Sequence, residues 1–286
     1  MTTTTPTAPK TPSAGTTPAA RLSLDVWLDI ACPWCAIGEL RLASVIRELP
    51  FSEQIDVRFH SYQLAPDAPD RADMLQPEFL ASRGMDMTRF RAAQQQLVEM
   101  GAEYDFHFDQ DRTVPSNTHT AHRLIQAAGA AGPTGTTGAA VTTGAPGTPG
   151  TASIQAAVIE ALFSAYFEHG RDLGDPAVLR DVVTAAGLPA AEADRVLADP
   201  DAHRADVADD IARAAQLGIS GVPFVVADGR YGISGAQPQE TFADALNRVY
   251  AELTAAASAA GGQAAVDSPA EDPAATSAAP RDPAAS

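Results

Sequence analysis

Two cysteines are the only thiols in the 286 residues, and they stand two residues apart as Cys32-Pro33-Trp34-Cys35. A pair at this spacing can exchange disulfides, share a zinc ion or close a small structural loop. Zinc in a structural site needs about four ligands. The chain has no second cysteine pair, and its six histidines lack finger-like spacing, so no metal is expected. A disulfide across so short a loop would constrain the unfolded chain little. Thiol chemistry is the reading that remains.

The flanking residues place that chemistry. Leu22, Leu24, Val26 and Leu28 alternate with other residues, as in a strand with one face on a core. Ile37, Leu40, Leu42, Val45, Ile46 and Leu49 recur at helical spacing. Cys32 thus falls where a strand ends and a helix begins, and Pro33 suits the first helical turn because it lacks the N–H left unpaired there. The free N–H groups of a helix start stabilise an anion, which lowers a thiol pKa. Cys32 is therefore the expected exposed nucleophile. Cys35, one turn on, is the expected buried resolving thiol. Trp34 lies between them as an apolar surface for a substrate.

Further along, Ile55, Val57 and Phe59 alternate with Asp56, Arg58 and His60 as a second strand, completing a βαβ unit with parallel strands. His60 reads as a strand-face residue without function. Residues 64–204 read as helical, with breaks at Arg83-Gly84, Gly187 and several proline-rich turns. Met74, Met85, Met87 and Met100 fit core positions better than a substrate groove. His119 and His122 share one helix face behind a cap at Ser116 or Asn117. Gly129 to Gly150 is Gly, Ala, Thr, Pro and Val, and is expected to be a flexible loop. Strand signal returns at Phe224-Val225-Val226, a hairpin turn is marked by Asp228-Gly229, and a helix runs from Pro238 to about Tyr250. Pro223 at a strand entry is awkward for a ladder but fits a cis peptide after Val222 beside the thiols. There the Val222 backbone could pair with an extended substrate.

The expected class is α/β: a thioredoxin-like domain (22–63 and 205–253) with an inserted all-helical domain (64–204). A leader (1–21) and an Ala-, Pro- and Ser-rich tail (254–286) are expected to be disordered. Net charge is −17, which argues against nucleic acid and against an anionic membrane surface. No apolar run approaches the about 20 residues of a span, and the leader lacks the parts of a secretory signal. A cytoplasmic protein is expected, where a Cys-x-x-Cys pair is more often catalytic than structural.

Three stretches together resemble the FrnE-like branch of the DsbA family. They are Val26-x-Leu28-Asp29-x-x-Cys32-Pro33-Trp34-Cys35-x-x-Gly38; Asn117-x-x-x-Ala121-His122-Arg123-Leu124; and Gly218-Ile219-Ser220-Gly221-Val222-Pro223 with Ile233-Ser234-Gly235-Ala236-Gln237. The likeness covers about residues 22–252 on the order of elements. It implies a thioredoxin fold with a helical insertion and thiol–disulfide oxidoreductase activity. Cys32 and Cys35 match the redox pair and Pro223 the cis-proline. Asn117 and His122 match a segment near the active site, which with Trp34 and Val222 makes them candidate substrate contacts. Some relatives carry a further cysteine pair near the C-terminus; this chain does not. Kappa-type glutathione transferases and related isomerases share the architecture but place serine where Cys32 stands.

The resulting expectation is an enzyme without a bound cofactor. It would act on a disulfide-containing protein or a small thiol, with a low-molecular-weight thiol as possible co-substrate. Two alternatives stay open: a thiol-cofactor-dependent isomerase or transferase acting on a small aromatic or polyketide-like molecule, and a redox-switched binding or holdase protein. The oligomeric state is not legible in the sequence.

Overall fold

The structure, a computed structural model, describes residues 20–71, 73–131 and 153–266, with side chains to 259. Strand β1 (Leu22–Leu28) leads into helix α1 (Pro33–Glu48) and strand β2 (Ile55–Ser61). Next come α2 (Gln76–Ser82), α3 (Met87–Ala102), α4 (His119–Ala131) and α5 (Ile154–Phe163), the last continuing into a π-helical turn over Ser164–Glu168. After these follow α6 (Pro176–Ala185), α7 (Ala190–Ala198), α8 (Arg204–Gln216), strands β3 (Phe224–Ala227) and β4 (Tyr231–Ser234), and α9 (Gln239–Val266).

The sheet has the order β2-β1-β3-β4. β1 and β2 are parallel, with Leu22 opposite Ile55, and β1–β3 and β3–β4 are antiparallel, with Val26 opposite Val225 and Val225 opposite Ile233. This is the expected thioredoxin-like β-α-β … β-β-α arrangement with helices inserted between its halves.

One expectation for β1 needs correction: both of its faces are buried. Leu22, Leu24, Val26 and Leu28 join the main core with Ile37, Phe242 and Leu246. The opposite face carries Asp25 and Trp27, and Trp27 packs with Ala214 and Ile219 in a smaller cluster. Helix α8 covers that face, as helices usually cover both faces where strands run parallel. A polar network fastens it. His60 sits between two carboxylates, Nδ1 at 2.5 Å from Asp210 Oδ1 and Nε2 at 2.7 Å from Asp25 Oδ1. Trp27 stacks on the imidazole at 4.4 Å and donates its indole N–H to the Asp210 carbonyl at 3.1 Å. Asp210 also accepts from the Ser61 N–H and from Gln126. His60 is therefore a fastener between β2 and α8.

Two boundaries also shift. Gly129 to Ala131, expected in a loop, complete α4, and residues 132–152 lie outside the described residues. The tail expected from 254 is helical to Val266, because alanine has the highest intrinsic helix propensity and carries α9 onward. Residues 1–19 and 267–286 lie outside the described residues. Among the described residues no helix is long and apolar enough to cross a membrane.

Burial opposes charge on His60, but its bonds to Asp210 and Asp25 outweigh this and raise its pKa above 6.5. A group raised on folding contributes stability that is complete below its unfolded pKa and is lost as pH rises through the folded value. Replacing His60→Gln removes the imidazolium between two buried carboxylates and leaves Asp25 with Arg213 at 3.5 Å, at a cost of about 3 kcal/mol in acid. Denaturant unfolding of both proteins should show the stability gap shrinking as pH rises above about 6.5. A gap that grows with pH would refute the charged bridge.

Candidate active site

Cys32 is the N-cap of α1, with extended backbone (φ −91°, ψ 109°). Its own N–H is tied to the Asp29 carbonyl at 3.1 Å, and its carbonyl accepts from Cys35 N at 3.0 Å. Pro33 begins the helix, as its position in the sequence predicts. Both thiols are free. Cys35 is 1% exposed, which fits a shielded second thiol. Cys32 is only 4% exposed, so the expected open nucleophile is instead sheltered. It faces a cavity rather than the open surface, beside Trp34, which is 37% exposed.

The opposite flank of Cys32 is the turn before β3. The Val222–Pro223 peptide is cis, as read from the sequence, and the Cys32 thiol lies 3.7 Å from the Val222 carbonyl oxygen. Helix α1 holds this turn by close contact. A Cβ on Gly38 would stand 2.8 Å from Pro223 Cγ and 3.6 Å from Ala236 Cα. One turn further, Arg41 donates to the carbonyls of Ala236 (2.8 Å) and Gln237 (3.4 Å). Glycine at 38 is thus required by the approach of helix to turn, not by its φ.

The two thiols are driven in opposite directions. A hydrogen bond from Cys35 holds the Cys32 thiol below its ordinary value; burial opposes this, and the N–H groups of Cys35 and Trp34 add to the lowering. Burial pushes the Cys35 thiol well up, and Cys32 pushes it further.

Asp29 is the residue that reading the sequence singled out only as part of a motif. It is 1% exposed, lines the same cavity as Cys32, and raises both thiols by its charge. Burial resists ionising Asp29, but His122, the Leu64 N–H and the Thr118 hydroxyl outweigh it and keep the carboxyl below its ordinary range. His122 Nε2 lies 3.3 Å from Asp29 Oδ1, and the Leu64 N–H donates to Oδ2 at 2.8 Å. His122 is fully buried, and its Nδ1 has no hydrogen-bond partner. It reaches the thiol pair through Asp29 and is not itself a wall of the cavity.

Asn117 also differs from its expected place. Its amide nitrogen donates to the carbonyls of Pro66 (2.8 Å) and Ala68 (3.1 Å), while its oxygen accepts from Gln63 (3.0 Å) and from the His119 N–H (2.9 Å). It ties the segment after β2 to the start of α4 and does not line the cavity. The neighbouring Arg123 does similar work inside the helical region, donating to the carbonyls of Ala202, Val196 and Asp199.

The cavity beside Cys32 has a volume of about 550 Å³. It lies between the end of β1, the start of α1, helices α2 and α3, and the π-helical turn that carries Tyr166 and Phe167. The four methionines expected at core positions are not fully buried: Met74 and Met85 are exposed, and Met85 lines the cavity. A second, smaller cavity on another side of α1 holds Glu39, one turn after Cys35, with Glu160. Burial pushes both carboxyls up, Glu160 to about 8, and the Glu160 charge adds to the effect on Glu39. No periodicity marks Glu39, which stands among apolar helix positions. Among the described residues no three His, Cys, Asp or Glu are grouped to hold a metal ion.

Comparisons bear on this geometry. The family model of the DSBA-like thioredoxin domain matches residues 23–247. The crystal structure of a probable DsbA oxidoreductase from Streptomyces coelicolor is 30% identical, with a TM-score of 0.69, over 81% of this chain and 91% of that one. The cytosolic disulfide reductase DsbM from Pseudomonas aeruginosa, solved with GSH, is 19% identical with a TM-score of 0.52, over 79% of this chain and 98% of that one. At that identity the likeness is one of fold. No curated protein sequence matches the chain significantly.

Because the Pro223 ring leaves no room for a methyl group on Gly38, Gly38→Ala must displace the Val222–Pro223 turn or tilt α1. Overpacking of this kind costs about 1–3 kcal/mol. Chemical unfolding should show that loss, together with a changed alkylation rate at Cys32. Unchanged stability and an unchanged rate would mean that the contact does not hold the turn.

Proposed function

We propose that this chain, which belongs to the DSBA-like thioredoxin domain family, is a thiol–disulfide oxidoreductase that exchanges disulfides through Cys32 and Cys35. The observation that carries this reading is the division of labour between the sulfurs. One sits at a helix N-cap, with its pKa lowered, at the wall of a cavity; the other sits one turn inside, buried, with its pKa raised.

In the proposed reaction the Cys32 thiolate attacks one sulfur of a substrate R–S–S–R′. The Cys32–S–R bond forms, the S–S bond breaks, and R′S⁻ leaves and takes up a proton. Cys35 then gives up its proton and attacks Cys32 Sγ. The Cys32–Cys35 disulfide forms and RS⁻ leaves. The substrate has gained two electrons and the protein has lost two. A low-molecular-weight thiol is the proposed reductant that restores the pair; run in reverse, the same steps introduce disulfides. The Val222 backbone and Trp34 are the proposed contacts for the substrate on either side of Cys32. Asn117 and His122 act, on this reading, by positioning: Asn117 through the loop it ties down, His122 through Asp29. The cysteine-poor composition supports a reducing, cytoplasmic setting.

The isomerase or transferase alternative draws its support from the cavity over Cys32, and it needs at most one thiol. Substitution separates the two readings. Cys32→Ser should abolish disulfide reductase turnover, and Cys35→Ser should accumulate mixed disulfides at Cys32, visible by intact-mass measurement. Full reductase activity in Cys32→Ser contradicts the mechanism, while full activity of Cys35→Ser on a non-disulfide aromatic substrate would favour the alternative.

A further inference from the structure

The cavity in front of Cys32 has a definite chemical character. Its far wall is apolar, built by Phe79 and Leu80 of α2, Met85 of the turn after it, and Phe90 and Leu97 of α3, with Phe167. Its volume of about 550 Å³ falls in the range of small-molecule sites, about 300–1,000 Å³, and is far larger than a disulfide group alone requires. The polar groups on its walls include the amides of Gln76 and Gln110, the hydroxyls of Thr113, Ser116, Thr118 and Tyr166, and the carboxylate of Asp29. No Lys or Arg is among the lining residues, so the one formal charge they contribute is negative. A dianionic disulfide entering here would lose its water without gaining a cation, and would approach a buried carboxylate. One wall group lacks a partner: Gln76 Oε1 is buried and accepts no hydrogen bond. A buried acceptor left unpaired is unfavourable, and a donor on a bound molecule would satisfy it.

We propose that this cavity selects small, neutral aromatic disulfides or thiols, with a hydroxyl or amine donor reaching Gln76, and rejects anionic ones. The inference rests on the oxidoreductase reading above and names the substrate class of the same site. It places the apolar body of the substrate against α2 and α3 and its sulfur at Cys32, with the departing thiol on the Val222–Pro223 side.

Alkyl methanethiosulfonates test this with the leaving group held constant. In each, Cys32 Sγ bonds to the alkyl-bearing sulfur, the bond from that sulfur to the sulfonyl group breaks, and methanesulfinate departs. The probes are the benzyl and 2-sulfonatoethyl reagents, applied to the reduced full chain, with loss of the free Cys32 thiol followed by quenched mass spectrometry. Each rate is divided by the rate for N-acetylcysteine. The benzyl reagent should lead by at least about ten-fold, the worth of burying part of an aromatic ring. Phe90→Ala should reduce that lead several-fold. Equal normalised rates, a lead for the anionic reagent, or a benzyl preference unmoved by Phe90→Ala would overturn the selectivity and leave the oxidoreductase reading standing. No reaction of Cys32 with either reagent would overturn both.

Discussion

The close seating of α1 on the Val222–Pro223 turn is the contact on which the site depends. Gly38 allows it, since any side chain there would enter the Pro223 ring, and Arg41 secures it by bonding to the carbonyls of Ala236 and Gln237. The contact fixes the direction of α1 relative to β3. It brings the helix N-terminus, with its unpaired N–H groups, to the turn at which the Val222 carbonyl faces the Cys32 sulfur. The rest of the thioredoxin-like unit supports this meeting: α9 and α1 close one face of the sheet, and α8 closes the other through Trp27, His60 and Asp210.

The local electrostatics follow from that placement. The helix start favours a thiolate at Cys32, and the interior disfavours one at Cys35. Asp29 works against both thiols, because its carboxylate is kept ionised by His122, Leu64 N–H and Thr118. On the proposed mechanism, the Asp29 charge opposes the thiolate that the helix start favours at Cys32. The inserted helices contribute the cavity: α2, α3 and the π-helical turn wall off a large apolar space in front of Cys32, which is sheltered there.

Much of this was legible in the residues. Alternation found β1 and β2, and a short apolar run found β3; the Cys-Pro start located the helix; and Pro223 after a glycine-rich turn indicated the cis peptide that is present. What escaped notice was long-range in character. The second buried face of β1 depends on α8, more than 170 residues away in the chain, and Asp25 and Trp27 give no hint of it. Asn117 and His122 were placed near the site by resemblance, but only the fold shows that one ties a loop and the other backs Asp29. The cavity could not be read from Phe79, Leu80 and Phe90, which are ordinary apolar helix residues until α2 and α3 are laid across the start of α1. The alanine-rich stretch after 254 looked like low-complexity tail because composition hides helix propensity when no apolar stripe accompanies it.

The central claim is that Cys32 and Cys35 form one reversible redox couple. It is tested most directly by equilibrating the protein across buffers of 2-mercaptoethanol and 2-hydroxyethyl disulfide, a neutral pair, and trapping free thiols at each poise. The account predicts a single two-electron transition, with both thiols lost together and a slope of about 30 mV per tenfold change in the thiol ratio. Thiols that stay fully alkylatable at every poise, or that are lost separately as mixed disulfides with the buffer thiol, would contradict it.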